Sequence, residues 1–277
     1  MTACVRMEPP GLPALPLVLF VHEDKTGSTT VRSTLRAAQF ASRQERWLCD
    51  LEHSSNKTFE YLEETCQHAD VVIGNVENFG LCSLTRRPCR YFTVLREPVD
   101  RLVSSYNYFC SSCREQGKFC WQNVKAQQLW NASCPSMSFL HYAAIHANTY
   151  TWHFGGRRVL PDYYGSMMRG FADVKPLAIS DLVAATTALT QQDMFLMWTD
   201  ELDGGGWSRL ERWLSGTRAS AAIRQSTQIN KARHANKALA HNYMPTAAER
   251  ERACLINHFD CELYELLRSR SRVDAAP

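Results

Sequence analysis

The residues best equipped for chemistry are Lys25-Thr26-Gly27-Ser28-Thr29-Thr30, which lie between an apolar run and a stretch with helical spacing. In such a turn the N–H groups of Gly27 to Thr30 are the unsatisfied donors of a helix start, and they attract an anion. The hydroxyls of Ser28, Thr29 and Thr30 add donors, and Lys25 adds a point charge able to reach a bridging oxygen. Gly27 permits close backbone approach. The same residue types also make an ordinary strand-to-helix turn with Ser/Thr caps. A nucleoside triphosphate loop needs G-x-x-x-x-G-K-[ST], with a long glycine loop ahead of its lysine. Here the lysine precedes the glycine, and no other glycine lies upstream until Gly11, which disfavours a kinase.

A second constellation runs from Tyr91 through Arg96-Glu97-Pro98 to Ser104 and Tyr106. Arg96 falls where a strand should end, the edge at which open α/β sheets bind ligands. An arginine fork and the Ser104 hydroxyl can grip a second phosphate. The alternative is a surface ion pair of Arg96 with Glu97 or Asp100.

These groups need elements to hold them. Leu17 to His22, Ala69 to Ile73, Tyr91 to Leu95 and Phe195 to Trp198 are expected strands. Helices are expected over Thr29 to Ala41, Ser138 to Asn148, Asp181 to Leu189 and Ser208 to Leu214. Pro98 opens a helix whose core stripe is Val99, Leu102, Val103 and Tyr106. Thr246-x-x-Glu249 is a capping box that opens a final helix with the stripe Ile256, Phe259, Leu263 and Leu266. Alternating strands and helices predict an α/β fold, a P-loop-like parallel sheet flanked by helices, in one domain over residues 1–277. Cys110 to Pro135 is expected to be an excursion from the core, and Ser226 to Asn242 a polar, basic stretch.

The net charge of +3 is too small to imply a nucleic-acid partner. No run is long enough to span a membrane, and Leu15 to Val21, with Pro16 inside it, is a poor signal peptide. Eleven cysteines admit three readings: disulfides in an oxidising compartment, a zinc site, or reduced thiols. The cluster Cys110, Cys113, Cys120 and Cys134 has ligand spacing only at its start, so no metal site is assigned. A bond between Cys254 and Cys261 is not expected, because two turns of one helix would hold them about 10 Å apart. Asn56-Lys57-Thr58 and Asn131-Ala132-Ser133 are glycosylation sequons, as in a glycoprotein.

Taken together, the two constellations resemble the carbohydrate sulfotransferases that use 3′-phosphoadenosine-5′-phosphosulfate (PAPS), specifically the heparan sulfate 2-O- and 6-O-sulfotransferase branch. His22 to Thr30 resembles that family's 5′-phosphosulfate loop, H-x-P-K-T-G-[GS]-T-[ST], with Asp24 in place of the proline. Val94 to Tyr106 resembles its 3′-phosphate element, V-x-R-[DE]-P-[VI]-x-R-x-x-S-x-[YF]. Asn148-Thr149-Tyr150-Thr151 before Gly155-Gly156, and Asn257-x-x-Asp260-x-Glu262-Leu263-Tyr264, are weaker echoes. The resemblance implies the sulfotransferase fold and a PAPS co-substrate bound by Lys25, Thr26, Gly27, Ser28, Thr29, Thr30, Arg96 and Ser104, without a metal. It also implies a carbohydrate or other hydroxyl-bearing acceptor. With the cysteines it suggests the Golgi lumen; the cytoplasm is the alternative. Where many relatives carry G-H-x-x-[FY], with the histidine as base, this chain has Gly74-Asn75. Glu77 is the substitute candidate, followed by His22, Glu23 and His53. Loss of catalysis in a nucleotide-binding homologue is the competing reading.

Overall fold

The computed structural model describes residues 16–42, 47–51, 64–75, 79–83, 85, 87–107, 137–155, 176–191, 193–230 and 243–274. Five strands form one parallel sheet: β1 (Leu17–His22), β2 (Leu48–Asp50), β3 (Val71–Asn75), β4 (Cys89–Leu95) and β5 (Met194–Trp198), in the order β2-β3-β1-β4-β5. Parallel strands need both faces covered, and these strands are accordingly apolar on both sides.

One face carries Val18, Phe20, Val71, Ile73, Phe92, Val94, Phe195 and Met197. It packs beneath α1 (Ser28–Ser42), α6 (Gly206–Trp213) and α7 (Arg218–Asn230), through Val31, Leu35, Trp207, Leu210 and Ile223. The other face presents Val21, Leu95 and Trp198 to α4 (Thr149–Phe154), α5 (Ile179–Leu189) and α9 (His258–Asp274). Two further helices, α2 (Pro98–Tyr106) and α3 (Phe139–Ile145), pack with α8 (Ala247–Ile256) through Val99, Leu102, Phe139, Ala143 and Ala253. The α/β class and the helix-flanked parallel sheet are as expected, and the arrangement is compatible with a P-loop-like fold. Among the described residues, no helix is long and apolar enough to cross a membrane.

The C-terminal region departs from expectation. Thr246 does cap α8, accepting from the Glu249 N–H, while the Glu249 carboxylate accepts from the Thr246 N–H. The helix then stops at Asn257 instead of running on. The break brings the Cα atoms of Cys254 and Cys261 to 6.1 Å, and the two form a disulfide. A continuous helix would hold them about 10 Å apart, so the expectation that these two cysteines do not bond fails at this break. Of the expected stripe, Leu263 is buried and Phe259 packs beside it, but the row continues through Leu267 and leaves Leu266 exposed. Two more disulfides join Cys49 to Cys66 and Cys82 to Cys89. Cross-links of this kind are compatible with a secreted or lumenal protein. The Cys110–Cys134 cluster and both sequons lie outside the described residues.

Three of the strands and α-helices were missed. The short strand β2 offered too few residues for a period, α4 begins where the expected helix Ser138 to Asn148 was to end, and α7 begins well before the stretch read as polar and basic.

Candidate active site

Strand order reverses direction at β1: the chain leaves it for β2 and β3 on one side, then crosses to β4 and β5 on the other. In open parallel sheets the crevice at such a switch point is where ligands bind. The turn after β1 carries Lys25, and the turn after its neighbour β4 carries Arg96. The topology therefore brings together the two segments singled out in the sequence.

The Lys25 turn is tightly specified. Lys25 adopts φ 66° and Gly27 φ 92°, both in the left-handed region. The hydroxyls of Thr26 and Ser28 both donate to the Glu23 carbonyl, at 2.9 and 3.1 Å, and close the loop on itself. The α1 ladder begins with the N–H groups of Thr30 and Val31 donating to the Gly27 carbonyl. Ahead of them, the N–H groups of Thr26, Gly27, Ser28 and Thr29 donate to no acceptor among the described residues. Thr29 is exposed, and Thr30 is half-buried.

Two cations belong to this turn and its neighbour. Burial lowers the Lys25 ammonium to about 8; Asp24 opposes the shift and Arg96 adds to it. Arg96 Nη1 lies 3.4 Å from the Lys25 carbonyl oxygen. The surface-pair alternative for Arg96 is not what forms. Glu97 accepts from the N–H groups of Val99 and Asp100 as the N-cap of α2, and Arg250 pairs with both Glu97 and Asp100. Arg96 makes no ion pair among the described residues. Ser104 lies half-buried on α2, two turns along from Arg96. Asn75 is the register partner of His22 at the end of β3. Glu77 and His53 lie outside the described residues.

The backbone around Arg96 is held by Tyr150, whose buried hydroxyl donates to the Arg96 carbonyl at 3.0 Å and accepts from its N–H at 3.1 Å. Tyr150 stands where the resembled family has glutamine. The guanidinium of Arg101 lies 5.2 Å from its ring. At the other end of that segment, Asp260 accepts from the N–H groups of Tyr150 and Thr151 and from the Thr151 hydroxyl. Asn257 accepts from the Asn148 N–H. The two weaker sequence echoes are therefore in direct contact. Burial raises the Asp260 carboxyl against the pull of Arg101 and these donors.

Directly under the loop, Glu23 is fully buried, with its carboxylate 2.5 Å from His153 Nδ1. Burial works against its ionisation, but His153, with Arg101 and His22 adding to it, holds the carboxyl below the ordinary carboxylate range. A carboxylate so enclosed is a poor base for an incoming acceptor. His22 is half-buried, with Nε2 3.6 Å from Asp24, and burial lowers its imidazole below the usual value while Asp24 pulls it upward.

No protein-family model matches the chain, and no curated protein does.

Sequence reasoning missed Thr199, whose hydroxyl lies 2.7 Å from the Thr26 carbonyl oxygen and 3.2 Å from that of Leu95. It missed the Glu23–His153 pair as well. Both link residues more than a hundred positions apart, and no local spacing encodes such a contact.

Proposed function

We propose that the protein is a sulfotransferase that transfers the sulfuryl group of PAPS to a hydroxyl, on a carbohydrate acceptor in an oxidising compartment such as the Golgi lumen. The observation that carries this reading is the row of N–H groups at Thr26 to Thr29 that find no acceptor among the described residues, set beside Lys25 and an Arg96 that pairs with no described carboxylate. Two cationic points at adjacent strand ends suit a ligand with two separate anionic groups. PAPS has them: a 5′-phosphosulfate for Lys25, Thr26, Gly27, Ser28, Thr29 and Thr30, and a 3′-phosphate for Arg96 and Ser104. The sulfotransferase fold is likewise part of this reading.

In the reaction, the acceptor oxygen attacks sulfur in line, a new S–O bond forms, and the bond to the 5′-phosphate oxygen breaks. Catalysis then amounts to positioning plus stabilisation of charge on the departing phosphate. Lys25 and the α1 N-terminus meet that charge. Glu77, beyond the end of β3, is the proposed acceptor of the hydroxyl proton.

The test compares adenosine 3′,5′-bisphosphate, adenosine 5′-phosphosulfate and ATP–Mg²⁺ by calorimetry, alongside transfer of radiolabelled sulfate to a panel of glycans. The bisphosphate should bind best, and Arg96→Ala should erase its advantage over the nucleotide lacking a 3′-phosphate. Glu77→Gln should keep the nucleotide and lose transfer by about 10²- to 10⁴-fold. Preference for ATP–Mg²⁺ would turn the reading towards a kinase. Binding without transfer to any acceptor would favour the homologue without catalysis, a reading suggested by Asn75 at the histidine position.

A further inference from the structure

The turn after β5 presses on the phosphate loop from the side. Its short 3₁₀ segment, Thr199–Glu201, is itself fixed: Glu201 accepts from the Trp198 N–H at 3.0 Å and pairs with Arg209 at 2.5 Å, and Arg209 also donates to the Leu196 carbonyl. From this support the Leu202 side chain closes on Gly27 so tightly that a Cβ there would lie 2.5 Å from Leu202 Cδ1. The Thr199 methyl would be 3.7 Å from the same position.

The Thr199 hydroxyl has one proton for two carbonyl oxygens, and the shorter approach, 2.7 Å, is to Thr26; Leu95 is at 3.2 Å. A peptide unit is planar and trans, so its C=O and N–H point in opposite directions. Pinning the Thr26 carbonyl towards β5 therefore turns the Gly27 N–H away from β5. That N–H is one of the four donors that find no acceptor among the described residues. Gly27, lacking Cβ and held at φ 92°, would otherwise allow this peptide to rotate.

We infer that Thr199 is a positioning residue for the donor site: its hydroxyl fixes the direction of the Gly27 N–H, and it ties the phosphate loop to the end of β4 that bears Arg96. This rests on the function proposed above. The anion would meet a donor already aimed at it, and no part of the binding energy would go to orienting the loop.

The test uses the full chain with Thr199→Val, which keeps shape and removes the hydroxyl, and Thr199→Ser, which keeps the hydroxyl. Affinity for adenosine 3′,5′-bisphosphate is measured by calorimetry and thermal stability by calorimetric scanning. Thr199→Val should weaken the nucleotide about five- to tenfold, the scale of one net hydrogen bond. Thr199→Ser should restore affinity to within about twofold. If Thr199→Val does not fold, Thr199→Ala against Thr199→Ser makes the same comparison. Unchanged affinity in the hydroxyl-free variant overturns the role of Thr199 and leaves the sulfotransferase reading standing. Equal losses in the serine and valine variants also overturn it, because the hydroxyl would then not be the cause. A wild-type protein that binds no adenosine 3′,5′-bisphosphate would overturn both.

Discussion

Raising the pH from 7 to 9 should weaken adenosine 3′,5′-bisphosphate by about tenfold, and Lys25 should account for the whole slope. In the unliganded protein, burial holds the Lys25 ammonium at about 8. About nine-tenths of it is therefore charged at pH 7 and about one-tenth at pH 9. Bound phosphate favours the charged form and raises the group well above its unliganded value. The ligand must then be accompanied by about 0.9 of a proton at pH 9, against about 0.1 at pH 7. Affinity is full below the unliganded value and is lost as pH rises through it. Stability of the unliganded protein runs the other way. The folded value lies below the ordinary 10.5, so the unfolded chain holds the extra proton from about pH 8 to 10.5, and in that window this group makes the fold gain stability with pH. Calorimetry at fixed ionic strength, in two buffers of different ionisation heat, measures affinity and proton uptake together. A flat affinity, or a slope that survives in Lys25→Met, would refute the assignment.

Two further outcomes concern the frame of the site. Gly27→Ala forces a Cβ at φ 92° into Leu202 and should cost about 1–3 kcal/mol, read as a lowered urea midpoint; an unchanged midpoint would contradict the close approach. Asp260→Ala removes the acceptor for three hydrogen bonds and leaves the buried Arg101 without that carboxylate's field. It should cost about 3–5 kcal/mol in chemical denaturation, with a smaller loss in Asp260→Asn, and a loss under about 1 kcal/mol would sink that reading.

The sheet was legible because β1, β3, β4 and β5 are short, apolar on both faces and punctuated by turns. The β1–α1 turn was legible because its donors are consecutive in sequence. The same holds for Pro98, for Thr246 with Glu249, and for the inward row Leu182, Ala185 and Leu189. What escaped was long-range. An Asn at position 257 is compatible with a helix end but does not dictate one; α8 ends where its side chain accepts from the N–H of Asn148, a residue in the left-handed conformation and more than a hundred positions away. Arg96 could have paired with Glu97 or Asp100 by spacing alone. Only the position of Arg250 on α8 shows why those carboxylates are occupied elsewhere.

The grip of Asp260 on Tyr150 and Thr151 spans about 110 residues of chain. A ribosome adds about 5–20 residues each second, so several seconds pass between the appearance of α4 and the arrival of its cap. Through that interval the first N–H groups of α4 and the guanidinium of Arg101 sit in a forming interior without their carboxylate. Tyr150, which holds the Arg96 backbone, gains the acceptor for its own N–H only when α9 arrives. The Lys25 turn itself waits for Thr199 and Leu202, and the Tyr150 side of the cleft waits longer, for the last of the described helices.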